Sequence, residues 1–307
     1  MKPALLGHLV PSQLNIWMGA SKHGLSSGLH HDHHDNLYVL LRGHKRFRLY
    51  SPADAQRMYT YGQIAHVHAN GRIVFKSQPP VGPDGAEISK VQLWKARTVA
   101  ETELKAAEAA LARGDAGAQQ RLNEAEEHLE DTLEKALLDE MEMEMDDDEM
   151  DEDGASDEDD HQGFGGDSDK EDGSTQRRRS TLGDMVDESG TNPDNFCRVD
   201  LSKPDPEIRR DFPNFPGKGA AAVVEVKAGE MLYLPAGWFH EVTSMGEKGH
   251  LAFNYWSHPP DNLDPSMNGF KRPYSSGFWP AMWAENTARS GQPSADNRDK
   301  VSTVDEV

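Results

Sequence analysis

Apolar residues fall into short runs of four to eight, closed by Gly, Pro, Asp or Ser, and these runs cluster at the two ends of the chain. Residues 14–19, 29–31, 36–42 and 45–50 form one set of strand-like segments, and residues 222–226, 231–234, 238–244 and 250–256 a second. Gly43 and His44 read as a tight turn that sends 45–50 back beside the earlier strands, and Pro235, Ala236 and Gly237 as a second turn leading into His240. Between the two sets the period changes. Ala100, Leu104, Ala107 and Leu111 share one helical face, as do Ala118, Leu122, Ala125, Leu129 and Leu133, with Gly114 to Gly117 between them, so residues 98–138 predict a helical hairpin.

Composition shows how much of the chain is core. Only 36% of the 307 residues are hydrophobic, and the net charge is −21. Residues 139–172 hold nineteen Asp or Glu and one Lys, a net −18, which leaves −21 + 18 = −3 for everything else. Residues 139–190 cannot bury enough apolar surface to offset chain entropy, so they predict an acidic, disordered insertion. Such a segment repels phosphates, which disfavours direct nucleic-acid binding, and it would suit a basic protein partner. Within it Ser156, Ser168 and Ser180 have the flanking charges of kinase sites. The single cysteine, Cys197, excludes an intramolecular disulfide and fits a reducing compartment. No run approaches a membrane span, so the expectation is a soluble intracellular protein, cytoplasmic and/or nuclear.

The chemistry lies in SSGLHHDHHDNLYVLLRGHKRFRLYSP (26–52) and GEMLYLPAGWFHEV (229–242). His30 and Asp32 are two apart, so on a strand they project from one face and can chelate one ion. With a distant His240 they make two imidazoles and one carboxylate, a set that leaves three coordination positions open, as non-haem Fe(II) oxygenases require. A lone cation, Lys45, suits a carboxylate. Two other readings compete: His30, His31, His33 and His34 as a polar, adventitiously metal-binding tract, and His33 with Asp35 as a second pair at the same spacing.

Both stretches, together with NIWMG at 15–19 and residues 58–76, resemble the JmjC branch of the cupin-like Fe(II)- and 2-oxoglutarate-dependent oxygenases. Within it they are most similar to the small JmjC-only hydroxylases of the JmjC domain-containing protein 7 type. Only the His30 and Asp32 register sets Ser27, Asn36 and Lys45 at the family spacing. The resemblance implies a mainly β fold, a double-stranded β-helix (jelly-roll, cupin-like) interrupted by the helical and acidic insertion. The core would be residues 1–97 and 191–258, with 259–307 a partly disordered extension that has a short helix near 279–286 and gives no support for dimerisation. It implies His30, Asp32 and His240 as iron ligands, Lys45 and Ser27 holding the distal carboxylate of 2-oxoglutarate, and Asn36 and Asn254 lining its pocket. No side chain acts as general base, in keeping with the lack of any hydrolase-type nucleophile and base pair. The implied activity is hydroxylation of a protein side chain, lysine favoured, with succinate and CO2 as coproducts. The alternatives are a JmjC lysine demethylase and a non-catalytic scaffold whose acidic insertion binds partners. The scaffold is kept open because relatives carry a segment ahead of NIWMG, in many with a tyrosine that helps hold 2-oxoglutarate, whereas this core begins almost at Met1.

Overall fold

The computed structural model describes residues 2–148, 192–262 and 271–291. In chain order the strands are β1 (Pro11–Ser26), β2 (His30–His31), β3 (Asp35–Arg42), β4 (His44–Tyr50), β5 (Ile64–Val67), β6 (Ile73–Phe75), β7 (Ala222–Lys227), β8 (Met231–Leu234) and β9 (Phe239–Ser257). The helices are α1 (Ile88–Ala112), α2 (Ala118–Asp148), α3 (Asp205–Asp211) and α4 (Phe278–Gly291). Seven of the strands form one antiparallel sheet, a nearly closed jelly-roll barrel of the cupin-like kind, while β5 and β6 make a separate ribbon.

Strand β9 organises the barrel. One side of it carries β1 and then β2, from Pro11 opposite Ser257 to His31 opposite Phe239. Its other side carries β3 along 251–257 and β4 along 239–245, with β8 outside β3 and β7 outside β4. Both β3 and β4 run antiparallel to β9, so the chain continues in one direction through Gly43, and the expected tight turn with a returning strand is not formed. The reason is local. Gly43 has φ +87°, and a Cβ there would sit 2.7 Å from the His250 Cβ. Gly43 thus lets β3 and β4 follow the bend of β9 where residues 247–249 bulge out of register.

Alternation on these strands sets up the interior. Tyr38, Leu40, Phe47, Leu49, Val226, Leu234 and Ala252 form one buried cluster. Tyr50, Met58, Phe75, Phe239 and Phe215 belong to a second, which packs β6 and α3 under the sheet. A fully buried Phe or Leu contributes about 1.5–3 kcal/mol relative to exposure, so these clusters dominate the stability of the barrel. The outward face is apolar as well. Leu14, Ile16 and Met18 are more than half exposed, in register with Tyr255, Phe253 and Leu251. Such strands read as near-continuous apolar runs with little polar alternation.

The described residues 89–148 belong to a compact unit of their own. Its described part is the hairpin of α1 and α2, joined through Ala100, Ala107, Ala110, Ala118 and Ala125, all buried, with His128 and Glu103 2.8 Å apart on its surface. The seam uses Ala110, while the expected Leu111 is 40% exposed. Helix α1 starts ten residues earlier than the periodic pattern. Helix α2 runs on to Asp148, into the acidic run, where Leu, Met and Glu keep helix propensity high. The rest of that run, with Ser156, Ser168 and Ser180, lies outside the described residues. No helix among the described residues is long and apolar enough to cross a membrane.

Candidate metal centre

His30 and His240 are opposite each other where β2 pairs with β9, so their side chains leave the sheet on the same face, with ring centroids 4.3 Å apart. Asp32 follows one residue beyond β2. Its carbonyl accepts the Gly237 N–H at 2.9 Å, and its Oδ2 lies 3.7 Å from His240 Nε2. One ligand atom from each of the three falls within 4.8 Å of the others. The imidazoles are pre-set for this geometry. His30 Nδ1 is 3.1 Å from the Gly28 carbonyl and His240 Nδ1 3.0 Å from the Trp238 carbonyl. A carbonyl only accepts, so each Nδ1 carries the proton and each Nε2 presents a lone pair. Burial, reinforced by the neighbouring His240, pulls the His30 pKa down to about 4, which keeps its ring neutral and ligating at neutral pH. Phe196, in the segment that re-enters from the insertion, stacks on the outer side of His30 at 4.8 Å.

The turn that brings in His240 is held by two neighbours. Asp35 accepts the Ala236 N–H at 2.9 Å and the Tyr233 hydroxyl, so its carboxylate is committed to this turn. The His33 and Asp35 pair does not assemble a metal site, because Asp35 opens β3 and faces the turn. Gly237, at φ +76°, packs on Gly71 so closely that a Cβ would lie 1.9 Å from the Gly71 carbonyl oxygen. Gly237→Ala is therefore expected to cost at least about 3 kcal/mol, from backbone strain and overpacking together, or to prevent folding. Urea denaturation measures it, and an unchanged midpoint would remove this turn's role.

Deeper in the barrel, Lys45 is 3% exposed, and its ammonium donates to Ser244 Oγ at 2.5 Å and to His250 Nδ1 at 3.3 Å. Burial lowers its pKa to about 8, and no carboxylate among the described residues pairs with it. Lys45 lies opposite Ser244 as Leu49 lies opposite His240, so the cation and the histidine share the inward face of adjacent strands. Asn36 and Asn254 are both buried, and Asn254 Nδ2 donates to Asn36 Oδ1 at 3.0 Å while its Oδ1 accepts the Trp17 indole at 3.3 Å. Ser27 is engaged with backbone: its hydroxyl donates to the Gly28 carbonyl at 2.9 Å and accepts the Val242 N–H at 2.9 Å. The polar contacts of Lys45 come instead from Ser244 and His250, which sequence reasoning passed over. Ser244 was discernible, since it continues the period-two face of His240. Phe196 carried no sequence signal, being brought to His30 only by the long return of the chain.

Such a centre can hold one divalent metal by two neutral nitrogens and one carboxylate, with positions left for exchangeable ligands, beside a buried cation able to hold an anion. Comparison with known proteins agrees with this architecture. Residues 1–262 match the family model of the cupin-like domain. The chain is also similar to JmjC domain-containing protein 4 of Schizosaccharomyces pombe, 31% identical over 331 aligned residues that take in 96% of this chain and 66% of that protein. It thus spans just under two thirds of that relative's length.

Proposed function

The chain belongs to the family of cupin-like JmjC domains, and we propose that it is an Fe(II)- and 2-oxoglutarate-dependent dioxygenase that hydroxylates a protein side chain, lysine being the favoured target. The observation that carries this reading is Lys45. A buried ammonium with no acidic partner is unfavourable by several kcal/mol, and here it stands on the same inward face as a His, Asp, His cluster. A dicarboxylate reaching from metal to lysine relieves that cost.

The donor set fits Fe(II): two imidazole Nε2 atoms and one carboxylate, each nitrogen fixed by a backbone carbonyl on its other side. When bound, Fe(II) with 2-oxoglutarate supplies the oxidative chemistry, by which dioxygen yields succinate, CO2 and one oxygen atom inserted into a C–H bond. The chain does the holding. His30, Asp32 and His240 would hold the metal. Lys45 and Ser244 would donate to the distal carboxylate of the cosubstrate, and the Asn36 and Asn254 amides would supply further donors on the pocket wall. Phe196 shields His30, and Leu40, Phe47 and Leu49 keep the interior dry, which strengthens each charged contact. No proton need be moved by a side chain at the reacting carbon.

The test is to treat a desalted protein extract with the enzyme, Fe(II) and 2-oxoglutarate and to map residues that gain one oxygen atom. The gain is expected to carry the heavy isotope under labelled dioxygen, with succinate formed and no formaldehyde. Formaldehyde release with loss of methyl groups would instead mark a demethylase. Absence of both products and of succinate would contradict the oxygenase reading.

A further inference from the structure

We propose that Arg72 anchors a carboxylate-binding subsite at the border of the metal centre, and that this subsite receives an acidic side chain of the protein substrate. Arg72 is 8% exposed, and its Nε and Nη1 are buried with no hydrogen-bond partner. No carboxylate among the described residues comes within ion-pair distance of it. The acid whose charge acts on it, Asp84, has its Oδ1 committed to the Ala86 N–H at 3.1 Å. A lysine in this position could shed its proton, but a guanidinium cannot. Asp84 thus offsets this permanent buried charge only from beyond ion-pair distance, and an anion from outside would complete its neutralisation.

Arg72 directly precedes β6, beside the Gly71 and Gly237 contact that fixes the His240 turn. Its guanidinium lies against bare backbone at Gly85, where a Cβ would approach Nε to 3.2 Å. Its charge is felt at His34 and His258, both next to the Asp32 segment or facing it. His34 stacks on Trp256 and His258 on Trp279, and the Trp279 indole is tied to the Asp84 carbonyl at 3.1 Å. A monoanionic carboxylate matches one guanidinium. A phosphate dianion would leave a charge over, close to Asp32 and Asp84. The cosubstrate's distal carboxylate already has Lys45, so the ligand is assigned to the substrate, an assignment that rests on the oxygenase reading. The anion site itself does not.

The test uses the full chain, free of metal, and follows arginine Nε–H signals by NMR, with the Arg72 signal identified by its absence in Arg72→Gln. Capped glutamate is titrated in, with capped glutamine, inorganic phosphate and 2-oxoglutarate in parallel. The expected result is a saturable shift of the Arg72 signal with capped glutamate. Capped glutamine should give none, phosphate should bind more weakly, and affinity should drop about tenfold or more in Arg72→Gln. The variant is also expected to melt at a higher temperature than wild type, since it sheds an unpaired buried charge. A lower melting temperature would identify a structural cation and overturn the proposal. So would a glutamate response that survives in Arg72→Gln, no response at all, or a shift produced by 2-oxoglutarate alone. None of these readings needs iron or turnover, so they separate failure of the subsite from failure of the oxygenase reading.

Discussion

Asp32→Ala is expected to lower Fe(II)-dependent succinate formation from 2-oxoglutarate by more than about a hundredfold, because loss of even an outer partner of a metal ligand costs about 10–100-fold. The effect should be catalytic with the fold retained. Asp32 sits one residue past β2, its side chain is 13% exposed, and its contact with the Gly237 N–H runs through the backbone carbonyl, which alanine keeps. Circular dichroism and the urea midpoint should therefore match wild type while metal binding is lost. Equal succinate from wild type and variant would remove Asp32 from the centre and with it the facial arrangement.

The second large effect is expected at Lys45. Lys45→Met keeps the stem and removes the charge. With charge-assisted hydrogen bonds contributing about 1.5–3 kcal/mol, 2-oxoglutarate affinity should fall by about 10–150-fold. Folding stability should rise, since the variant no longer buries an ammonium whose pKa burial has pulled down to about 8. The pH dependence has a defined sign. In the empty pocket Lys45 loses its proton as pH rises through about 8, and the carboxylate needs that proton, so wild-type affinity should decline above pH 8. Its stability contribution runs the other way: the unfolded chain binds the extra proton between about 8 and 10.5, so stability gains over that window and is penalised below it. Isothermal titration with a redox-inert divalent metal measures the affinities. A Lys45→Met chain that binds 2-oxoglutarate like wild type would place the distal carboxylate elsewhere.

Much of the barrel was legible because its strands are short apolar runs with clear stops. Seven of the eight strand segments correspond to separate strands or parts of them, and the eighth merges with its neighbour, since 238–244 and 250–256 are both β9. That merger and the continuation through Gly43 were not legible. A glycine followed by a polar residue between apolar runs signals a turn locally, and only the bend of β9, a long-range feature, decides that β4 continues past β3.

At the site, the two-residue spacing of His30 and Asp32 could be read from strand geometry, but the same rule fits His33 and Asp35. What separates them in the fold is Asp35 binding the Ala236 turn, a contact 201 positions away in sequence. Asn36 and Asn254 were named through the family resemblance, and with Lys45 they are buried in the barrel. Ser27 was named through the same resemblance and bonds backbone in the fold, whereas Ser244 and His250, which reach Lys45, were not named. Arg72 had no motif at all, and the lack of hydrogen-bond partners at its Nε and Nη1 emerges only in the fold.

The most direct test of the central claim is an anaerobic titration of the full chain with Fe(II) and then 2-oxoglutarate, following the visible charge-transfer absorption of the chelate. The account predicts a band in wild type, no band in Asp32→Ala, and in Lys45→Met a band that needs far more 2-oxoglutarate to develop. A folded wild-type chain that gives no band, or a band unchanged in Asp32→Ala, would contradict it.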